Sequence, residues 1–298
     1  MLALSCSDLD GWSRQDAAAA LAAYVVSRPE GWPEPEGGTA LAFFAANFAP
    51  DPPVHAPGLL TGYYEPEVPG ALSPSAGYPA PLHRLPLGWD GQGLWHSRAE
   101  IAARDLLAGS ELVWLCSPVE AFLAQVQGSV RVVLAGGAVL RLGYAGRNGH
   151  PYRSIGQELV ERGEISAAEI SAQAIRDWCA RNPGRVQDLL DCNPSYVFFH
   201  PLDLPAGAGP IGAAGVPLTP MASLAVDPAE IPFGTPVWVE SHGPMALRCL
   251  MVAQDTGSAI RGPQRGDVFF GTGAVAGEAA GRLNEPARLV PLVPRGMR

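Results

Sequence analysis

The segment that most constrains the fold is 252–270, where two short apolar runs are joined by glycine-rich turns. The run that ends at Ala253 is predicted to be a strand, and Asp255 follows it; Asp267 opens a second apolar run, 268–270. Each carboxylate is therefore predicted where a strand meets a turn, held in place yet reachable by a ligand. Asp-Thr-Gly is also ordinary turn chemistry, so these residues alone leave a structural and a functional role open.

Composition favours many short strands and turns. The chain of 298 residues contains 35 glycines and 30 prolines, and its 47% hydrophobic residues suffice for one large or two modest domains. The net charge is −9 and there is no basic run, which makes nucleic acid an unexpected partner. No apolar run approaches the roughly 18–20 residues of a membrane span.

Cysteine and histidine spacing predicts neither a metal site nor a cofactor. The five cysteines are scattered without a Cys-x-x-Cys motif, and the six histidines form no His-x-x-x-His pair. Free buried thiols are the default expectation for such cysteines. Cys179 and Cys192 are the pair to check for a disulfide bridge.

Start and stop signals predict helices and strands along the whole chain. Helices are expected over 13–27, 39–47, 97–108, 117–127, 166–181, 184–190 and 276–283. Strands are expected over 59–64, 130–135, 138–142, 193–199, 223–226, 235–240, 246–253, 268–270 and 288–293, the last as a closing edge strand marked by Pro291. The Pro- and Gly-rich segment 70–96 is interpreted as a crossing between domains. A chain that is β-rich at both ends and mixed in the middle fits closed β architecture with a second domain inserted.

Several runs, in this order, carry a resemblance to a known family. They are Thr-Gly-Tyr-Tyr-Glu-Pro (61–66), Gln-Val-Gln-Gly-Ser (125–129), Gly-Tyr-Ala-Gly-Arg-Asn-Gly-His-Pro-Tyr (143–152) with Ser-Ile-Gly (154–156), Asn-Pro-Ser-Tyr-Val-Phe-Phe (193–199), Gly-Pro-Ile-Gly (209–212), Leu-Ala-Val-Asp-Pro (224–228), Ile-Pro-Phe-Gly-Thr (231–235) and Gln-Asp-Thr-Gly (254–257) with Asp267. The chain resembles the membrane-bound lytic murein transglycosylase A family over nearly its whole length. Its C-terminal part is similar to the 3D domain, whose three aspartates would be Asp227, Asp255 and Asp267.

The resemblance implies a mainly β fold with some helix. Residues 1–79 and 200–298 would form a catalytic double-psi β-barrel, and 80–199 an inserted, smaller β-rich substrate-binding domain. A groove between the two domains would hold a glycan strand.

The resemblance also implies an activity and a set of site residues. The family cleaves the β-1,4 bond between N-acetylmuramic acid and N-acetylglucosamine without water, and it leaves a 1,6-anhydromuramic acid end. Asp267 would be the general acid and then the base, with Asp255 as its close neighbour, and Asp227, Thr256 and Gly257 would be structural or supporting. Candidate glycan contacts are Thr61, Tyr63, Gln125, Gly128, Ser129, Tyr144, Arg147, Asn148, Tyr152 and Ser154.

One carboxylate can serve such a reaction. An aspartate at its reference pKa of about 3.9 is ionised at neutral pH, so an acid catalyst needs a raised pKa. Burial by residues 268–270 and the like charge of Asp255 would supply that rise. Hydrolytic glycosidases normally need two carboxylates, but an attack by the C6 hydroxyl of the sugar itself needs only one.

The implied partners are peptidoglycan glycan strands and complexes of cell-wall enzymes, with the protein as a monomer. The implied location is the periplasm or the outer membrane of a Gram-negative bacterium, although no signal or lipid anchor is visible in this chain. The alternative is a non-catalytic glycan-binding barrel module. An aspartic protease is disfavoured because its chemistry needs two aspartates that share a proton, and the chain has a single Asp-Thr-Gly. Action at chain ends or internally, and on peptide-bearing or bare strands, stays open.

Overall fold

The structure is a computed structural model that describes residues 5–51 and 56–297. The chain divides into two compact units. The first contains the chain up to Tyr64 and from Ala206 onward, and the second runs from Glu65 to Pro205. The crossing thus comes before the segment 70–96, because strands within 67–83 already pair inside the sheet of the second unit.

Short strands dominate the fold. They are Phe48–Pro50 (β1), Leu59–Glu65 (β2), Glu67–Ala71 (β3), Ala80–His83 (β4), Glu111–Leu115 (β5), Ser129–Val133 (β6), Val139–Arg147 (β7), Val197–Pro201 (β8), Ser223–Ala225 (β9), Pro236–Ser241 (β10), Arg248–Asp255 (β11), Arg265–Thr272 (β12) and Asn284–Pro294 (β13). The α-helices are Ala18–Ser27 (α1), Ala40–Asn47 (α2), Arg98–Arg104 (α3), Pro118–Gln127 (α4), Ile155–Glu161 (α5), Ala172–Arg181 (α6), Val186–Asp191 (α7) and Gly273–Arg282 (α8). No helix of the described residues is both long and apolar enough to cross a bilayer.

The sheet of the first unit closes on itself. Its strands follow the order β13-β10-β11-β9-β12-β2 and return to β13, while β1 adds to β13 from outside the ring. The expected mainly β class, with a closed barrel built from both chain ends and a second sheet in the insert, is confirmed. The expectation that the last strand is an edge is wrong. Pro291 lies opposite Val237 of β10, and its carbonyl accepts a hydrogen bond from the backbone N–H of Asp51 at 2.8 Å, so a strand with partners on both sides tolerates the proline.

Alternation along β10 separates two apolar layers of the first unit. Val237 and Val239 point into one buried cluster together with Leu224, Val268 and Leu289 of the neighbouring strands. Trp238 points the other way, into a second cluster that α1 and α2 cover. The aromatic members of this second cluster are Trp12, Tyr24, Phe43, Phe44, Phe48 and Trp238. The neighbouring strand β11, which ends at Asp255, is buried on both faces in the same way, with Met251 in the first cluster and Val252 in the second.

The second unit has its own sheet, in the order β4-β5-β3-β6-β7-β8. β3 and β6 run parallel, and the other pairs are antiparallel. Glu65 is fully buried at the start of this unit and pairs with Arg131 at 2.7 Å and Arg141 at 3.2 Å. These two arginines lie opposite each other on β6 and β7, so one carboxylate holds the two strands together.

Helix ends follow the capping signals in some places and not in others. At α4 the prediction is confirmed, because Ser117 accepts from the N–H of Glu120, Pro118 takes the first position and Gly128 ends the helix at φ +76°. The expected helix start at Ser13 is wrong: residues 12–14 form a 3₁₀ turn, and Asp16 accepts from the N–H of Ala18, where α1 begins. The helix start predicted at residue 166 also moves, to Ala172, which Ser171 caps. All five cysteines are free, so Cys179 and Cys192 form no bridge.

Candidate active site

A bulge in β11 brings Asp255 and Asp267 onto one face of the barrel wall. β9 lies between β11 and β12, and Ala225 is the register partner of both Asp255 and Asp267. Between Ala253 and Asp255 the register shifts by one residue. Without this extra residue Asp255 would point to the interior like Ala253, so the bulge turns its carboxylate outward, to the side of Asp267. The backbones of the two aspartates are thereby separated by about two inter-strand spacings of roughly 4.8 Å each.

Strand β2 supplies one hydrogen-bond donor to each carboxylate. Thr61 donates its hydroxyl proton to Oδ1 of Asp267 at 2.7 Å, and Tyr63 donates its phenol proton to Oδ2 of Asp255 at 2.8 Å. Residues two apart on a strand share a face, so one strand can donate hydrogen bonds to both acids. Gly62 between them has no room for a side chain, because a Cβ there would lie 2.8 Å from the backbone of Ala280.

Asp255 is saturated with donors, whereas Asp267 is not. Besides Tyr63, the backbone N–H groups of Ala213 and Thr256 donate to Oδ1 of Asp255, each at 2.9 Å. Oδ2 of Asp267 accepts no hydrogen bond from the residues that the structure describes. A carboxylate with both oxygens occupied is held in one place, while one with a free oxygen can exchange a proton with a ligand.

Burial shifts the pKa of both acids upward. It raises the pKa of Asp267 to about 6; the Thr61 hydrogen bond and the positive charge of Arg265 oppose that rise, and the negative charge of Asp255 adds to it. Burial also raises the pKa of Asp255, against the three donors that favour its ionised form. Of the residues expected to shield Asp267, Val268 instead points into the barrel cluster, and the ring of Phe269 lies 5.4 Å from that of Tyr63.

The third aspartate has a structural position. Asp227 is buried and accepts from the N–H of Gly262 at 2.9 Å and of Ala229 at 3.2 Å, and these bonds, that of Gly262 first, lower its pKa. Thr256 supports the same region, because its hydroxyl donates to the carbonyl of Val226 at 2.7 Å. Gly257 packs close to Ile260 in the turn that follows. These contacts hold the loop between β11 and β12 in place.

Three of the expected glycan contacts in the second unit, Gln125, Ser129 and Asn148, are buried. Asn148 is fully buried and donates to the carbonyls of His96 and Pro194, while its own oxygen accepts from the N–H of Tyr196. Gln125 is buried and accepts from Arg98 at 2.6 Å. Ser129 is buried in β6, and Gly128 ends α4. A direct sugar contact does not fit Asn148, whose hydrogen-bonding groups are already used. Glycan contact by Gln125, Gly128 and Ser129 stays a prediction.

The remaining candidates of the second unit lie nearer to solvent. The side chain of Tyr144 is 50% exposed, and Arg147 and Tyr152 are half-buried. Ser154 is the N-cap of α5, where it accepts from the N–H of Gln157 at 3.2 Å. Tyr144, Arg147 and Tyr152 are therefore the candidates of this unit that a glycan could touch.

Comparisons with known proteins agree with this architecture. The MltA specific insert domain matches residues 59–200, and the 3D domain matches residues 222–293. The chain is also similar to the crystal structure of a membrane-bound lytic murein transglycosylase from Agrobacterium tumefaciens. That similarity has 31% identity and a TM-score of 0.86, covering 98% of this chain and 97% of the other. The chain belongs to the membrane-bound lytic murein transglycosylase A family.

Other members of the lytic murein transglycosylase A family extend the comparison. Membrane-bound lytic murein transglycosylase A of Escherichia coli strain K12 is 39% identical over 242 residues, which are 77% of this chain and 64% of that protein. The chain thus spans about two thirds of the length of this curated relative. A structure of E. coli MltA with bound chitohexaose has 36% identity and a TM-score of 0.71, covering 80% of this chain and 72% of the other.

Sequence reasoning missed three residues of this family member's site. Ala225 separates the two acids, the N–H of Ala213 fixes Asp255, and Arg265 donates to Thr61 at 2.7 Å. It proposed Thr61 and Tyr63 as glycan contacts but did not predict that they donate to the two carboxylates. The position of Arg265 was readable, because residues 265 and 267 share a face in a strand. The other two depend on contacts between distant parts of the chain.

Proposed function

We propose that this protein is a lytic murein transglycosylase that uses Asp267 as its single acid and base. It would cleave the β-1,4 bond between N-acetylmuramic acid and N-acetylglucosamine and leave a 1,6-anhydromuramic acid end. The supporting observation is the pairing of a free Oδ2 on Asp267 with a pKa raised to about 6. A carboxyl group with that pKa keeps its proton up to about pH 6, where an ordinary aspartate is ionised, and can present it to a leaving oxygen.

The proposed reaction moves one proton out and one back. The Asp267 carboxyl gives its proton from Oδ2 to the glycosidic oxygen while the C1–O bond breaks. The C6 hydroxyl oxygen of the same muramic acid then bonds to C1, and the Asp267 carboxylate takes the hydroxyl proton. No water is consumed, and the enzyme returns to its protonated state. Three donors fix Asp255 and favour its ionised form, and the charge of that form helps to keep the proton on Asp267.

The broader assignments follow from the same proposal. The closed barrel unit would be catalytic, and the inserted unit would bind glycan through Tyr144, Arg147 and Tyr152. Peptidoglycan is the proposed partner, which places the reaction outside the cytoplasm. A non-catalytic glycan-binding module is the second candidate, but such a module has no use for a carboxyl group whose pKa is raised. An aspartic protease fits worse, because the two acids lie on either side of β9 and each has its own donor.

Mass spectrometry of purified peptidoglycan after incubation with the protein tests the proposal. Anhydro ends are one water, about 18 mass units, lighter than the products of the two-carboxylate hydrolytic route. Release of these lighter fragments is the expected result. Hydrated ends would show that the protein hydrolyses the bond instead of forming the anhydro ring. Binding without release of any fragment would favour the non-catalytic glycan-binding module.

The activity is expected to fall as the pH rises through about 6. Only the protonated form of Asp267 can act as the acid, and its pKa is raised to about 6, so about nine tenths of the molecules carry the proton at pH 5 and about one tenth at pH 7. The measurement is kcat/KM for anhydro-product release between pH 4.5 and 8.5, which reports the free enzyme. A profile that is flat over this range would contradict Asp267 as the acid.

A further inference from the structure

Arg265 is connected to the Asp267 carboxylate through one intervening side chain, that of Thr61. Arg265 and Asp267 are two residues apart on β12, so their side chains share a face. The guanidinium of Arg265 donates through Nη1 to the carbonyl of Gly266 and through Nη2 to Oγ1 of Thr61 at 2.7 Å. The Thr61 hydroxyl in turn donates to Oδ1 of Asp267 at 2.7 Å. Three side chains from two strands thus form a chain of hydrogen bonds that ends on the acid.

The direction of this chain follows from the chemistry of its first member. A guanidinium can donate hydrogen bonds but cannot accept them. The Thr61 oxygen is therefore the acceptor toward Arg265, and its own proton is left for another partner. Arg265 and Asp267 are the side-chain partners of this hydroxyl within residues 5–51 and 56–297. The hydroxyl proton consequently points to Oδ1 of Asp267.

We propose that Arg265 is a positioning residue that locks the Thr61 hydroxyl as a donor to Oδ1 of Asp267 and so leaves Oδ2 as the oxygen that carries and transfers the proton. The proposal rests on the proposed function, in which Asp267 is the acid and the base. A proton on Oδ1 would meet the proton of Thr61, so the carboxyl group is held with its acidic hydrogen on the free side. Without Arg265 the hydroxyl could rotate, and the acid could hold its proton on either oxygen.

The groups that face Asp267 define what a pH profile would report. They are Arg265 on β12, Asp255 on β11 and the hydroxyls of Thr61 and Tyr63 on β2, whereas β9 contributes the uncharged Ala225. The charge of Arg265 and the hydrogen bond of Thr61 both lower the pKa of Asp267. Loss of either group raises that pKa further, so the alkaline fall in activity moves to higher pH. If Arg265 had only a structural role, its loss would change the rate or the stability but not the pH at which activity falls.

The experiment compares Arg265→Met, Thr61→Val and the double variant with the unmodified protein. Thr61→Ser is the conservative variant, because it keeps the hydroxyl. Arg282→Met is the matched control, since Arg282 lies on α8 of the same unit with its side chain 73% exposed. Two readouts are used: kcat/KM for release of anhydro ends against pH, and the titration of the Asp267 carboxyl carbon by NMR without substrate. Circular dichroism and thermal unfolding identify any variant that fails to fold.

Arg265→Met and Thr61→Val are each expected to lower kcat about tenfold or more, the scale of losses from a misplaced reacting group, and to raise the NMR pKa of Asp267. Because Arg265 acts through Thr61, the double variant should be no slower than Thr61→Val alone, and Thr61→Ser should restore most of the rate. An unchanged pH limb in Arg265→Met, or losses that multiply in the double variant, would overturn the proposal. If the unmodified protein releases no anhydro ends, the proposed function fails, and the NMR titration still decides whether Arg265 and Thr61 act on Asp267.

Discussion

Replacement of Asp267 by asparagine is expected to lower the release of anhydro ends at least about 100-fold, the lower end of what a positioned general acid contributes. The amide has no acidic proton to give to the leaving oxygen and cannot take one from the C6 hydroxyl. The fold should survive, because the asparagine oxygen can still accept from Thr61, which lies 2.7 Å from Oδ1 in the structure. Mass spectrometry of digested peptidoglycan measures the product, and thermal unfolding checks the fold.

Two further variants, Asp255→Asn and Asp10→Asn, are the comparisons for Asp267→Asn. Asp255→Asn should retain more activity than Asp267→Asn, because Asp255 is fixed by three donors and acts through its charge. Asp10→Asn should behave like the unmodified protein, since the Asp10 side chain is 67% exposed on the same unit and exposed ion pairs contribute little. Equal losses in Asp255→Asn and Asp267→Asn would refute the division of labour between the two acids.

Local sequence patterns predicted part of this site. The apolar runs and glycines around Asp255 and Asp267 predicted both acids at strand ends. Asp255 does end β11, whereas Asp267 is the third residue of β12, which begins at Arg265. The family motifs then supplied the barrel built from both chain ends. What no local pattern shows is the bulge before Asp255, which decides the face on which its carboxylate lies. A single inserted residue in a strand reverses every side chain after it, and only the partner strand reveals it.

Long-range pairing explains the other differences. The donors on β2 are about two hundred residues from the acids that they bind, so Thr61 and Tyr63 could be recognised as polar strand residues but not as partners of carboxylates. Asn148 is a polar residue in a glycine-rich loop, which is typical of a ligand contact, yet its amide is used entirely for the backbone. The helix α5 was also not predicted, although Ser154 followed by Gln157 has the spacing of a capping box.

Loss of Glu65 is expected to destabilise the second unit by about 3–5 kcal/mol, the usual cost of removing one partner of a buried ion pair. Glu65 is fully buried, and its two arginine partners are 16% and 5% exposed. In Glu65→Ala the guanidiniums of Arg131 and Arg141 would lose the carboxylate that pairs with both of them. Amide hydrogen exchange in β6 and β7 measures the effect within this unit, where a single unfolding transition of a two-unit protein would not.

Glu161→Ala is the matched control for that variant. Glu161 lies in the same unit, but it pairs with Arg153 at 3.7 Å on the surface, where both side chains are more than half exposed. Its loss should change the stability by less than about 1 kcal/mol. Similar exchange rates in the two variants would mean that the buried carboxylate does not hold β6 and β7 together. A selective increase in Glu65→Ala would show that this unit depends on one charge at the point where the chain enters it.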